Sequence, residues 1–339
     1  MQVSFKGKIL LALAASFVAM LVTAAALVYF TQIGQLKATL DSQMRGDERV
    51  FLTQIANDAD GLGRALAATA RMDTLLDAFE TRQRDQLLQR ATPLFEELKN
   101  QFRITHFYFF EPDGTTFLRV HKPAQYGDKN GRNSFRMAVA TDKLAVSLDM
   151  GKNFFSLRAV RPVMRDGRKI GYWELAQEID HILPATRTIT GDDVAVLLSD
   201  VYIQKKGTEI KGERVAGMTM LDATNKPLAL EVVRDIGLSA EAGEGTLRLN
   251  ADRAVMSFPF KDGAGETAGL LLFVRDIQAA RSAVHAAMLR DLLFLTIILL
   301  VGGALVVAVV RHAVAQLGGD PAYAVAVTRA IAALSLIHI

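Results

Sequence analysis

The sequence has no cysteine, one tryptophan and only eight prolines in 339 residues. Without cysteine there is no disulfide framework, no thiolate nucleophile and no zinc–thiolate centre. Charge is thin as well: 22% of residues are charged, against about 25% in ordinary soluble domains. It is also nearly balanced, 39 basic against 36 acidic side chains. The Lys205-Lys206 pair with Lys211 reads as a solvated charged loop. No basic stripe carries interleaved aromatics, which excludes a nucleic-acid surface. HExxH, P-loop and Gly-x-Ser-x-Gly motifs are missing. His106 and His121 have no third ligand at metal spacing, and the Asp-Gly pairs at 113–114 and 166–167 are hairpin turns rather than calcium loops. No catalytic residue, metal or other cofactor is expected; a haem held through His121 is the weakest reading of that residue.

What charge is missing is missing in two places. Ile9–Phe30 (22 residues) and Leu292–Val310 (19 residues) contain no charged side chain. A helix rises about 1.5 Å per residue, so each block is long enough for a hydrocarbon core about 30 Å thick. Lys6 and Lys8 precede the first block and Arg311 follows the second, which puts both chain ends in the cytoplasm and residues 31–291 in the periplasm. The competing reading of the first block is a cleaved signal peptide with Ala24–Ala26 as its small-residue site. Its length and its continuation through Leu27-Val28 favour a retained span. A buried core helix is the competing reading of the second, against its length and lack of charge.

Between the blocks, apolar residues recur at helical spacing over 36–103, first at Val50, Phe51, Ile55, Leu62 and Leu66, then from Leu75 to Phe102. A break is expected near Arg71–Asp73, and Pro93 is expected to open the last helical piece. Strand character follows at Ile104–Phe110 and Thr116–His121 around a Pro-Asp-Gly turn, and at Leu157–Met164 and Lys169–Ala176 around Asp166-Gly167. Residues 122–156 read as loop and short helix, and Glu178–Thr186 as a connecting helix. A weaker repeat comes at Val194–Ser199, Thr246–Asn250, Ala254–Phe260 and Ala268–Val274. From Ile277 the pattern is helical again and enters the second block.

This layout resembles the double Cache sensor domains of bacterial transmembrane receptors, in which a long helix backs two tandem α/β modules. The specific stretch is Phe107 to Asp128: an aromatic strand, Glu-Pro-Asp-Gly, then Arg119-Val120-His121-Lys122-Pro123, then Tyr126-Gly127-Asp128, with Arg132 beyond. The later Gly171-Tyr172-Trp173-Glu174 is similar to the Gly-x-x-Glu strand of one branch. After the second block, Leu317-Gly318-Gly319-Asp320-Pro321-Ala322-Tyr323-Ala324 looks like the opening of the HAMP relay of chemotaxis receptors. In those receptors the run leads into Ile-Ala-x-Gly-Asp-Leu, whereas Ile331-Ala332-Ala333 is followed here by Leu334-Ser335-Leu336, and too few residues remain for the module. The expectation is an N-terminal fragment whose last six residues, 334–339, need not be native sequence.

The fold class expected is thus α+β, with two transmembrane helices flanking a periplasmic double Cache-like domain: a long spine helix and two tandem antiparallel-sheet modules. The boundaries expected are 1–8 for a cytoplasmic N-terminus, 9–30 for the first span and 31–103 for a helical stalk and spine. Residues 104–188 make a membrane-distal sensor module, 189–288 a membrane-proximal module, 289–311 the second span and 312–339 the start of a HAMP relay.

Alternation of strand side chains sorts the candidate site residues. Phe107, Phe109, Leu118, Val120 and Leu175 are expected on the spine helix. Phe117, Arg119 and His121 share the opposite side, and Tyr108, Arg119, His121, Arg161, Tyr172 and Glu174 then line that face beneath the 122–156 loop, with Asp128 and Arg132 supplied by the loop. Arginine grips a carboxylate through two parallel hydrogen bonds, while Glu174 or Asp128 could receive an ammonium group. The bland alternatives are an Asp128–Arg132 pair that fixes the loop, an Arg119–Glu174 bridge that orders the sheet, a hydrogen-bonded loop histidine at 121 and a core role for Trp173. The reading as a whole is a transmembrane sensor for a small carboxylate- or amine-bearing ligand, homodimeric in the bilayer and not an enzyme. Its output is a chemotaxis receptor, or alternatively a histidine kinase or diguanylate cyclase, with cytoplasmic partners reached only through a missing C-terminal region. A membrane-anchored periplasmic hydrolase lacks its nucleophile–base pair, and a purely structural coiled coil is opposed by the break near residue 72.

Overall fold

The computed structural model describes residues 5–151, 155–238, 245–250, 252–316 and 321–337. Three helices lead: α1 (Phe5–Thr69), α2 (Asp73–Glu80) and α3 (Arg84–Phe102). The first sheet module comprises β1 (Ile104–Phe110), β2 (Thr116–Arg119), α4 (Asn133–Thr141), β3 (Ala145–Met150), β4 (Phe155–Arg165) and β5 (Arg168–Glu178). Helix α5 (Ile182–Thr190) leads to the second: β6 (Asp193–Ser199), α6 (Asp200–Lys206), β7 (Arg214–Val215), β8 (Met218–Ala223), α7 (Lys226–Asp235), β9 (Arg248–Asn250), β10 (Arg253–Lys261) and β11 (Thr267–Asp276). Helices α8 (Gln278–Gln316) and α9 (Pro321–Ile337) end the chain. Residues 317–320, which open the HAMP-like run, and 338–339 lie outside the described residues.

The chain divides into two compact units, Leu40–Asp276 and the remainder. In the remainder, α1 and α8 each contain a stretch long and apolar enough to cross a membrane by length and composition. Their apolar side chains, Val18, Val22, Phe294 and Leu300 among them, are exposed.

Within Leu40–Asp276 both sheets are antiparallel, in the orders β2-β1-β5-β4-β3 and β7-β8-β6-β11-β10-β9. Leu40, Met44, Phe51, Leu62 and Leu66 of α1 are buried, at the helical spacing read from the sequence. Arg275 of β11 ties α1 to the second sheet, reaching Asp47 at 2.7 Å and Asp192 at 2.6 Å. In the first module, the Phe79 ring of α2 lies 5.6 Å from Phe109 and 5.9 Å from Trp173, whose indole is fully buried. Trp173 is a core residue. One face of the second sheet packs Leu197, Met220, Leu270 and Leu272 against Ala229, Leu230, Val232 and Val233 of α7.

Several expectations are corrected. The helical run breaks twice, after Thr69 and again at Thr81–Gln83, where Arg82 takes φ +57°. Pro93 opens nothing; it sits inside an unbroken α3. The carbonyl it leaves without a donor belongs to Gln89, on the exposed side of the helix. The 122–156 stretch contains an edge strand, β3, besides α4. The connecting helix starts only at Ile182, because β5 continues to Glu178. Residues 200–235 hold α6, β7, β8 and α7, which the sequence reading passed over. Lys205 and Lys206 end α6 rather than forming a solvated loop: Lys206 Nζ donates to buried Asp262 at 3.1 Å, and Lys205 Nζ to Glu266 at 2.6 Å.

Candidate ligand-binding site

The register of β1, β5 and β4 decides which side chains meet. Tyr108 stands opposite Glu174, His106 opposite Ala176, and Arg158 opposite Ala176 from the other side. His106, Tyr108, Glu174 and Arg158 therefore share the face turned away from the spine helices. Arg161 stands opposite Trp173 and belongs to the other face, with Arg71 near it; its placement in the ligand set is corrected. Tyr172 is on the expected face but lies farther along it, 2% exposed, with its ring 5.0 Å from Phe135 of α4. It is part of the packing under α4 with Phe110 and Val160.

Strand β2 brings in Arg119 through a bulge. Leu118 pairs with Phe109 and Thr116 with Phe110, so Phe117 has no partner and its ring turns to Phe79, 5.7 Å away. Phe117 thus leaves the side of Arg119, contrary to strict alternation. The chain past β2 folds back along it: Gly127 N donates to Thr116 O and Thr116 N to Asp128 O, each at 2.8 Å. Gly127 has φ +88°, a conformation that suits glycine. This return sets Asp128 against Arg119, at 2.7 Å, and the expected Asp128–Arg132 pair does not form. Arg119 also donates to Gln125 O at 2.8 Å.

Beneath this loop is a cavity of about 490 Å³ whose walls include His106, Tyr108, Arg119, His121, Lys122, Tyr126, Asp128, Arg132 and Arg158. Glu174, on the same sheet face, is fully buried. Its sheet-ordering bridge is to Arg158, at 2.5 Å, not to Arg119; Asn130 Nδ2 donates to it at 3.3 Å and Arg132 stands 3.8 Å away. Burial opposes the charge on Arg158, and Glu174 more than offsets that, so the guanidinium holds its proton more tightly than usual. Among the described residues, the buried Arg158 Nε meets no acceptor. The Tyr108 ring lies under three guanidinium groups, 5.3 Å from Arg132, 5.5 Å from Arg119 and 6.0 Å from Arg158.

The two histidines meet edge to face at 4.5 Å. Burial, with the nearby cations, pushes His106 down to about 2 and His121 down to about 4, so both are neutral near pH 7. Phe107 N donates to His121 Nδ1 at 3.3 Å, which leaves the ring proton on Nε2 as a donor. His121 is hydrogen-bonded, as its bland reading has it, and it also lines the cavity.

Of the eight residues read from the sequence, Tyr108, Arg119, His121, Asp128 and Arg132 line the cavity, Glu174 is buried against Arg158 of its wall, and Arg161 and Tyr172 lie elsewhere. His106 and Arg158 are additions. His106 had a legible signal, its parity with Tyr108; Arg158 had none, because its facing depends on how β4 pairs with β5. Among the described residues, the cavity lining carries four cations, Arg119, Lys122, Arg132 and Arg158, against one carboxylate, Asp128, which Arg119 engages; buried Glu174 behind it engages Arg158. Such a site can hold an anion, and among the described residues it has no free carboxylate for an ammonium group. Among the described residues no group of side chains could hold a metal ion.

Solved structures similar to this chain include the periplasmic domain of Vibrio cholerae LuxQ, 12% identical, covering 68% of this chain and 98% of that one with a TM-score of 0.44. The sensor domain of the V. cholerae histidine kinase DctB is 13% identical over 70% of this chain and 97% of that one, TM-score 0.42. The sensory domain of the Campylobacter jejuni chemoreceptor Tlp3, solved with isoleucine bound, is 12% identical over 68% and 95%, TM-score 0.32. Among curated proteins, none matches the chain. Residues 37–280 match the profile of dCache_3, described as the double sensory domain of two-component sensor kinase, and the chain belongs to that family.

Proposed function

We propose that this chain is a membrane-anchored receptor whose periplasmic double Cache domain binds a small anionic solute in the cavity walled by Tyr108, Arg119 and Arg158. The observation that carries the reading is the surplus of cations around Tyr108: among the described residues four positive side chains converge on about 490 Å³, the one carboxylate of the lining, Asp128, is paired with Arg119, and buried Glu174 is paired with Arg158. A carboxylate-bearing solute matches that surplus and the fork geometry of arginine. Residues 9–30 and 289–311 are the spans, 104–188 the membrane-distal module and 189–288 the membrane-proximal one, and the chain works as a homodimer. Sensing, not catalysis, is its role.

Two outputs are in play, each favoured by a specific observation. The HAMP-like run from Leu317 favours a chemotaxis receptor. The family's own description favours a two-component kinase. Joining residues 1–316 to the cytoplasmic part of a chemotaxis receptor and, separately, of a histidine kinase, and reading which chimera responds to a carboxylate, separates them.

A thermal-shift panel on the full chain in lipid nanodiscs tests the ligand class, with mono- and dicarboxylates, amino acids, amines and purines. Carboxylates are expected to raise the melting temperature, and Arg119→Ala to abolish the rise. Stabilisation by amines alone, or by a carboxylate equally well in Arg119→Ala and wild type, would refute the assignment.

A further inference from the structure

The two sheet modules meet at a backbone joint close to the cavity. The turn between β10 and β11 reaches β3, where Gly263 N donates to Leu148 O at 2.8 Å. A Cβ added at Gly263 would stand 2.8 Å from Ser147 Cβ and closer still to its Oγ, so only glycine lets the two backbones approach this far. Behind the joint the turn is stiff. Asp262, 8% exposed, accepts from Tyr202 Oη at 2.8 Å, from Lys206 Nζ at 3.1 Å and from the amides of Ala264 and Glu266 at 3.0 Å each.

On the other side of the joint, hydrogen bonds continue toward the cavity. Ser147 Oγ donates to Asp149 Oδ1 at 2.7 Å, and Asp149 Oδ2 accepts from Ser134 N at 2.8 Å in the first turn of α4. Asp149 thereby serves as the cap that α4 lacks locally, since Arg132 at the N-cap position offers no side-chain acceptor. Arg132 is also a wall of the cavity. Beside the joint a cleft of about 420 Å³ separates the modules and shares Asp128, Arg132 and Gly151 with the cavity, which leaves the connecting segment room to shift. Beyond the turn, β11 leads through Ile277 into α8.

We propose that Gly263 on β3 is a coupling joint: the position of Arg132 and the start of α4 is passed through Asp149 and Ser147 to the β10–β11 turn, and so to the strand that feeds α8. As a signal route this rests on the ligand site proposed above; as a mechanical link it can be read without any ligand. Coupling of this kind is reciprocal, so disturbing the turn must loosen α4 as much as disturbing α4 loosens the turn.

Amide hydrogen exchange on the full chain in nanodiscs tests it. Gly263→Val is expected to speed exchange about 5- to 150-fold, the usual range of allosteric coupling, at 133–141 and 145–150 as well as at 262–266. Peptides from α7, 226–235, are expected to stay unchanged. Acceleration confined to β10, β11 and their turn overturns the joint. Should Gly263→Val fail to fold, as judged by the fluorescence of Trp173, Ser147→Ala removes the donor to Asp149 without crowding, and acceleration at both 133–141 and 262–266 is again required. Succinate is the ligand probe. If it stabilises the wild type but protects the loop 122–132 and not 262–266, the joint is wrong while the site stands. If no carboxylate in the panel binds, the site is wrong, and the exchange results alone decide the joint.

Discussion

Removing one partner of the Arg158–Glu174 pair puts the electrostatic account of this site at greatest risk. The two groups lie 2.5 Å apart with side chains 2% and 0% exposed, so water cannot take over from a missing partner. Among the described residues, Arg158→Met leaves the Glu174 carboxylate with Asn130 at 3.3 Å and Arg132 at 3.8 Å. Breaking a buried pair costs about 3–5 kcal/mol, whereas replacing both charges is often close to neutral. For a folded unit of about 240 residues, at about 2–4 °C per kcal/mol, the single variant should melt about 6–20 °C lower. Glu174→Gln should lose a similar amount, and the double variant should recover about 2 kcal/mol or more relative to the sum of the singles. Trp173 is the sole tryptophan and neighbours Glu174 in β5, so its fluorescence reports this module in the full chain without interference from the membrane helices. Single variants costing less than about 1 kcal/mol, the level of an exposed pair, would refute the reasoning, as would strictly additive losses.

Three further outcomes are expected. Gly171 holds φ +152°, and an added Cβ would overlap Phe110 O and stand 2.7 Å from Phe79 Cζ; Gly171→Ala should cost about 2–5 kcal/mol in denaturant melts, and a neutral effect would contradict the packing of α2 on β5. His121 is held down to about 4, so between pH 6.5 and 4 the unfolded chain takes up a proton that the folded one refuses; stability should fall across that window by on the order of 3 kcal/mol. His106, held lower still, adds its own loss in the same window, so His121→Gln should make that part of the profile shallower without levelling it, and parallel curves would sink the argument. Burial and a hydrogen bond with Asp192 push Asp47 up to about 6, with Arg275 opposing the rise. Arg275→Met leaves two buried carboxylates together and should cost about 3–5 kcal/mol above pH 7. The loss should shrink toward pH 5, as the folded state gains a proton that the unfolded one does not hold, and urea titrations at the two pH values measure the difference.

Local rules carried much of the chain. The two uncharged blocks, the helical spacing of Phe51, Leu62 and Leu66, and the hairpin turns at Asp113-Gly114 and Asp166-Gly167 are properties of neighbours in sequence. β1 was legible to the residue, Ile104–Phe110, because aromatic and β-branched residues crowd it. Residues 200–235 were not, since α6 and β8 are short and mix charged with apolar positions. Lys206 looks like a surface lysine until the turn between β10 and β11 carries Asp262 and Glu266 to its side.

The same division runs through the candidate site. Alternation placed Tyr108, Arg119 and Glu174 on one face, because facing within a regular strand repeats every two residues. It failed wherever that repeat is interrupted or must be compared between strands. The bulge at Phe117 reverses that side chain, and the pairing of β4 with β5 turns Arg161 to the spine and Arg158 to the cavity. Which acid meets which base followed from the same cause: the return of the chain through Gly127 gave Asp128 to Arg119, and strand pairing gave Glu174 to Arg158. The sequence by itself determined the membrane-length helices, the spine, the hairpins and the stock of charged residues near Tyr108. Only the tertiary structure decided how those charges pair, and hence that the cavity is left with a surplus of cations, because register between strands is set by long-range pairing that no local pattern encodes.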